Sequence, residues 1–221
     1  MIDAVIFDMD GLMLDTERLA RRGWLAALEE FGASLTDEQY LRIVGRTATD
    51  STAVLKEMLG ADFPVEECRN RMRELYYADA TENGIPVKPG LEELVDFLDE
   101  KSIKYAVATS TARKLTIPKL QLTGLLTTFP IIVAGDEIQN GKPAPDIFLA
   151  AARALDVVPE RCVVLEDSSY GIRAAHAAGM IPIMIPDLAQ PNDQIAKLAQ
   201  AVVPSLHEAR QIISQLLNGG R

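Results

Sequence analysis

The chain is poor in the residues that mark several common protein classes. Of its 221 residues only two are cysteine, Cys68 and Cys162. They lie far apart without Cys-x-x-Cys spacing, which excludes a zinc ribbon, a thioredoxin-type motif and a disulfide scaffold and points to a reducing cytoplasm. Histidine occurs twice, as His176 and His207, and neither has an acidic or thiol partner at ligand spacing, so both read as packing or surface residues. The single tryptophan, Trp24, stands at helical spacing with Leu28 and Phe31 and reads as core. Positive charge is also short. Lys and Arg number 22 against 32 Asp and Glu, a net charge of -10, and such a field repels nucleic-acid phosphates and anionic membranes. Neither is expected as a partner. Long apolar runs are missing as well: Ala4–Phe7 is cut off by Asp8 and Asp10, too soon for a signal sequence, and no run reaches membrane-spanning length.

What remains is an ordinary globular composition, 48% hydrophobic and 24% charged, in a chain long enough for one large domain or a domain with an insertion. Short apolar runs at Ala4–Phe7, Tyr105–Ala108, Ile131–Ala134, Cys162–Leu165 and Ile181–Ile185 have the length of fully buried strands. Between them lie helically spaced residues such as Leu91, Leu94, Val95 and Leu98, or Ile147, Ala150, Ala151 and Ala154. The rhythm from residue 90 onward is therefore β-α-β-α, an α/β protein with an open parallel sheet covered by helices. The segment Ile195–Leu198, a weak strand at Ala201–Val203 and an amphipathic Leu206–Leu217 close the chain.

The segment after the first strand breaks that rhythm. Glu17–Phe31 reads as a helix ending at Gly32, Thr36 and Gln39 form a capping box, and Ser51–Leu59 and Glu66–Ala80 are further helical patterns. A βα connection usually has a loop of about 2–6 residues, so this stretch is an inserted helical domain. The expected division is a core of residues 1–14 and 86–221 and a helical cap of residues 15–85, joined through Leu12–Thr16 and Gly84–Gly90.

Polar residues gather where the strands end. The first runs into Asp8-Met9-Asp10-Gly11, and a two-residue period places both aspartates on one face at the strand's C-terminal tip, the edge where open α/β sheets bind ligands. Two acids so close repel each other unless a cation sits on one and the other can hold a proton. The second strand is followed by Thr109-Ser110-Thr111, hydroxyls and backbone N–H groups at a helix start that could cradle phosphate. Lys142 lies between Gly141 and two prolines ahead of a helix. Glu166-Asp167-Ser168 puts a second acidic pair at a strand tip, suited to a hard cation. Each pattern alone has a bland alternative, such as a solvated acid, a helix cap or a surface lysine. Their joint occurrence after strands of one sheet does not.

In order along the chain, Asp8-Met-Asp-Gly-Leu-Met-Leu-Asp-Thr-Glu17, Ala108-Thr-Ser110, Gly141-Lys-Pro-Ala-Pro-Asp-Ile-Phe148 and the stretch from Glu166 to Met180 resemble the motifs of the haloacid-dehalogenase-like (HAD) hydrolase superfamily, in the branch whose cap follows the first strand. The resemblance implies a Rossmann-like core, an inserted helical cap and Mg²⁺-dependent phosphoryl transfer through an aspartyl-phosphate. It implies Asp8 as nucleophile and metal ligand, and Asp10 as general acid and base that also offers its backbone carbonyl to the metal. Thr109, with Ser110, would bind the transferring phosphoryl group. Lys142 would be the cation that neutralises nucleophile and phosphate, Asp167 the second metal carboxylate, and Glu166 a direct or water-mediated ligand. With Asp8, Glu166 and Asp167 ionised and a phosphate dianion bound, the formal charge is about -5, and Mg²⁺ with Lys142 returns about +3. A protonated Asp10 avoids adding to that imbalance. Arg46, in the Val44–Ala48 turn of the cap, is the candidate for pairing with a substrate oxygen.

The expected activity is hydrolysis of a small phosphomonoester, a sugar phosphate or nucleotide-like monophosphate, by a cytoplasmic monomer. The alternative is a β-phosphoglucomutase, which shares the core motifs but carries a cap histidine where this chain has Ala20, and a cap Lys and Arg where it has Val44 and Ala48. A mutase must shield its aspartyl-phosphate from water, and these departures favour the phosphatase. A signalling receiver domain combines similar residues, but its accepting aspartate lies on a later strand and it has no helical insertion. A catalytically silent binding module would fail to hydrolyse any phosphomonoester.

Overall fold

Strands form where the short apolar runs find a neighbour to pair with. In the computed structural model, which describes residues 2–44 and 48–219, the elements in chain order are β1 (Ala4–Phe7), α1 (Thr16–Glu30), α2 (Asp37–Leu41), α3 (Ala48–Leu59), α4 (Val65–Asn83), α5 (Leu91–Glu100), β2 (Lys104–Ala108), α6 (Arg113–Leu122), β3 (Ile132–Val133), α7 (Asp146–Leu155), β4 (Cys162–Glu166), α8 (Ser169–Ala177), β5 (Ile181–Met184), α9 (Asp193–Ala196), β6 (Ala201–Val202) and α10 (Leu206–Leu217). The strands form one parallel sheet in the order β3-β2-β1-β4-β5-β6. Strand order reverses beside β1, so β1 lies at the switch point where such sheets open a crevice at their C-terminal edge.

Alternation along the central strands divides the core. Ala4, Ile6, Ala106, Ala108, Cys162 and Val164 face Ile147, Phe148, Ala151 and Ala152 of α7 and Ala174 and Ala175 of α8, all buried. The small strand residues let α7 pack close to the sheet. On the other side Phe129 meets Phe7 and Tyr105 edge-on, with ring centroids 5.4 and 5.3 Å apart.

The α/β class and parallel sheet expected from the sequence are those observed, with shifts at element ends. Ile131 and Ala134 fall outside β3, whose paired residues are Ile132 and Val133, opposite Val107 and Ala108; the Ile131 carbonyl still accepts the Val107 N–H at 2.9 Å. Glu166 joins β4 because it pairs with Met184. The segment singled out at Ile195–Leu198 overlaps a helix that runs Asp193–Ala196, because the Asn192 side chain accepts the Ile195 N–H at 3.0 Å and sets its start. The hydroxyls of residues 109–111 precede a helix that begins only at Arg113, with Ala112 in the cap position.

The chain divides into two compact units, Met1–Leu14 with Pro86–Arg221, and Asp15–Ile85. In the sheet unit the two connecting segments run side by side: Leu14 bridges Val87, and the Lys88 N–H donates to the Met13 carbonyl at 2.8 Å. The helical unit is built on α1 against α4, where Gly23 lets the backbones approach; a Cβ there would stand 3.1 Å from the Met72 carbonyl oxygen. Trp24 is buried with the Arg69 guanidinium 5.4 Å from its ring, and Arg69 donates to Thr52 Oγ1 at 2.7 Å. The expected capping box of Thr36 and Gln39 is present. Among the described residues no helix is long and apolar enough to cross a membrane.

Phe129 joins the loop after α6 to the sheet through two aromatic contacts and is fully buried. Phe129→Ala is expected to destabilise the protein by about 3–5 kcal/mol, read as a lower urea midpoint with an unchanged slope.

Candidate active site

Register brings the strand tips level. Phe7 pairs with both Val107 and Leu165, so Asp8, Ala108 and Glu166 follow side by side, and Asp10, Thr109 and Asp167 belong to the turns beyond. The Asp8 N–H continues the ladder to the Leu165 carbonyl at 3.0 Å. Past Asp8 the chain turns on itself, with the Gly11 N–H donating to Leu14 and the Met13 N–H to Met9. Gly11 has φ +87° and lies against Asp167; a Cβ there would stand 2.3 Å from Asp167 Oδ2. Only glycine meets both conditions.

Lys142 is the hinge of the cluster. From the loop before α7 its ammonium donates to Asp8 Oδ1 at 2.5 Å and to Glu166 Oε1 at 2.5 Å, with 6% of its side chain exposed. The ammonium also lies 4.9 Å from the centre of the Phe148 ring. Glu166, 1% exposed, uses its other oxygen to accept the Ser168 N–H at 2.7 Å and the Ser168 hydroxyl at 2.9 Å. Ser168 in turn caps α8 by accepting the Gly171 N–H. A Cβ at Gly171 would overlap the Glu166 carboxylate, 1.7 Å from Oε1. Glu166 thus fixes the lysine and the start of α8 together, and both its oxygens are engaged.

Asp8, Glu166 and Asp167 each offer an oxygen, and these atoms lie within 4.8 Å of one another. Three carboxylates, two of them paired with Lys142, form a hard, negatively charged donor set of the kind that holds a divalent cation such as Mg²⁺ or Ca²⁺. Burial is the main influence on Asp8 and raises its carboxyl. Lys142 pulls it down, Glu166 and Asp10 push it up, and the balance lies at about 7. Burial alone would depress the Lys142 ammonium, but Asp8 and Glu166 hold it above its ordinary range.

Asp10 has different partners. The strand ends at Phe7, so two-residue alternation does not carry to Asp10. Its Oδ1 accepts from Lys119 Nζ at 2.6 Å and its Oδ2 from the Thr111 hydroxyl at 2.6 Å. The sequence places Thr111 in the phosphate cradle rather than beside Asp10, and does not mark Lys119 as part of the site. The signal for Lys119 was its helical spacing: it lies between Thr116 and Leu120 on the buried face of α6, where an unpaired lysine would not be tolerated. An ionised Asp10 and Lys119 enter the charge count together and cancel, so a protonated Asp10 is not the only way to limit the imbalance. Thr109 is buried and its hydroxyl accepts the Thr111 N–H at 3.1 Å, whereas Ser110 is exposed. Arg46 lies outside the described residues. His176 and His207 are exposed.

A parallel α/β sheet with acids, a buried lysine and hydroxyls at its C-terminal edge defines a Rossmann-like enzyme with a site built for an anionic ligand and a cation. The family model for haloacid dehalogenase-like hydrolases matches residues 5–185, and the chain belongs to that family. Over 179 residues, 81% of this chain and 82% of the relative, it is 36% identical to the phosphorylated carbohydrates phosphatase of Thermotoga maritima. The crystal structure of CbbY from Rhodobacter sphaeroides in complex with phosphate is 31% identical, with 94% of this chain and 96% of that one covered and a TM-score of 0.77. That of β-phosphoglucomutase from Clostridium difficile is 26% identical over 99% of this chain and 98% of that one, with a TM-score of 0.76.

Asp8 gives the protein a pH signature. Its carboxyl rises from an ordinary 3.8 to about 7 on folding, so between those values the folded protein holds a proton that the unfolded chain releases. That stabilisation is complete below about pH 4 and is lost as pH rises through about 7. In the presence of a chelator the melting temperature should therefore fall between pH 5.5 and 8, and Asp8→Asn should flatten this dependence; both are read by circular dichroism.

Proposed function

We propose that this hydrolase is a phosphatase of small phosphomonoesters, sugar phosphates above all, with residues 15–85 serving as the cap that selects the substrate. The observation that carries the proposal is the buried Lys142 ammonium shared between Asp8 and Glu166 at 2.5 Å each, with Asp167 alongside. A carboxylate held against a lysine at an anion-accepting sheet edge is positioned as a nucleophile toward phosphorus. The similarity to a phosphatase of phosphorylated carbohydrates supports the substrate class.

In this scheme an Asp8 oxygen attacks phosphorus and the bond from phosphorus to the ester oxygen breaks. The departing oxygen takes a proton from Asp10. Water then attacks the phosphoryl group, Asp10 recovers a proton from it, and cleavage of the Asp8–phosphorus bond releases inorganic phosphate. Thr109 and Ser110 donate hydrogen bonds to the phosphoryl oxygens. Lys142 offsets negative charge on the nucleophile and the transferring group in both steps. Asp8, Asp167 and the Asp10 carbonyl would hold Mg²⁺, with Glu166 acting through Lys142 or a bound water. Bound there, the cation would offset charge on a phosphoryl oxygen.

The β-phosphoglucomutase likeness supports a second activity, phosphoryl transfer between sugar hydroxyls. Ala20, Val44 and Ala48 weigh against it. Incubation with β-glucose 1-phosphate and a trace of the bisphosphate separates the two: release of inorganic phosphate is expected, and accumulation of glucose 6-phosphate without it would favour the mutase.

A phosphomonoester panel assayed by phosphate release is expected to show turnover that Mg²⁺ supports and chelation removes. Asp8→Asn should lower kcat by about a thousandfold or more, and a folded Asp8→Asn protein with wild-type turnover would overturn the scheme. Arg46→Ala should raise KM more than it lowers kcat; an equal loss in kcat at constant KM would contradict a role in substrate binding.

A further inference from the structure

Lysine is rarely buried unless paired, and Lys119 is a second such lysine beside the site, separate from Lys142. It projects from α6 with 11% of its side chain exposed, and its ammonium donates to Asp10 Oδ1 at 2.6 Å. Thr111 holds the other oxygen, Oδ2, at 2.6 Å. The loop carrying Thr111 is itself tied down, since its N–H donates to Thr109 Oγ1 and its carbonyl accepts from the Thr116 hydroxyl. Both oxygens of Asp10 are therefore fixed by side chains from a single stretch of chain, residues 111–119, which follows β2. A carboxylate without such contacts would rotate freely about its last torsion.

The two donors differ in kind. An ammonium only donates, so Lys119 can hold Oδ1 whatever the state of Oδ2. A threonine hydroxyl donates or accepts, so Thr111 can stay beside Oδ2 whether that oxygen is bare or carries a proton. We infer that Lys119 and Thr111 are positioning residues for the general acid and base, locking Asp10 by Oδ1 so that Oδ2 is the oxygen that handles the proton. This rests on the phosphatase scheme above and adds to it the side chains that aim Asp10. A proton handled by a misdirected carboxylate forfeits much of the gain that general acid–base catalysis provides, about 10²–10⁴-fold.

The test exploits leaving groups that do and do not need the proton. An alkyl phosphomonoester releases a strongly basic alkoxide and depends on the acid; p-nitrophenyl phosphate releases a stable phenolate and does not. Lys119→Met keeps the aliphatic stem and removes the ammonium. It is expected to lower kcat/KM for an alkyl ester such as a hexose phosphate by about 30-fold and that for p-nitrophenyl phosphate by less than about threefold. Lys119→Arg, which restores a cation, should recover part of the alkyl-ester activity. Equal losses on the two esters, or none on either, would overturn the inference, since a merely structural lysine would not distinguish leaving groups. Should Lys119→Met fail to fold, Thr111→Val carries the same test, with a smaller preferential loss on the alkyl ester supporting the inference and equal losses refuting it. A wild-type protein that hydrolyses neither ester defeats the phosphatase scheme itself, and this inference with it.

Discussion

The site is organised around the burial of one ammonium group. Taking Lys142 out of water costs several kcal/mol, and the fold offsets that cost by placing Asp8 and Glu166 at 2.5 Å on either side of it. Neither acid would be stable where it is without the lysine, because each is nearly buried beside the other. The cluster holds together as a unit, and removing any one charge leaves the others uncompensated. Such an arrangement is poor economy for stability but gives an anion-binding edge fixed charges that need little reorganisation when a ligand arrives.

Backbone and packing carry this constraint outward. Glu166 is anchored to Ser168, Ser168 caps α8, and Gly171 leaves the space the carboxylate occupies. Gly11 does the same for Asp167. Lys142 rests near the Phe148 ring, a residue of the core between α7 and the sheet. The charges are thus bound to the hydrophobic core through short links, and their geometry follows the packing of the sheet. A second pairing, Lys119 with Asp10, repeats the device one turn further along.

Most of the fold was legible in the sequence because its strands are short, apolar and bounded by polar turns. Ala4–Phe7 and Leu206–Leu217 were read with the boundaries observed. Boundaries differed where pairing or a cap decided them: β3 keeps the two residues opposite Val107 and Ala108, and α9 starts where Asn192 caps it. For the site, Asp8, Asp10, Glu166 and Asp167 stood out because they cluster at the ends of apolar runs, and Lys142 because it stands between a glycine and two prolines ahead of a helix. Lys119 did not, since it sits inside the last turn of α6, among residues whose burial shows only when the helix is packed.

The order of residues along the chain determined the family, the parallel α/β core and which acids and hydroxyls end the strands, since these depend on local periodicity and on short motifs. Which charge meets which was decided only by tertiary structure. Lys142 reaches Asp8 across a sequence separation of 134, and Lys119 reaches Asp10 across 109; no local rule encodes such distances, because they arise from how sheet register and helix packing bring the strand tips together.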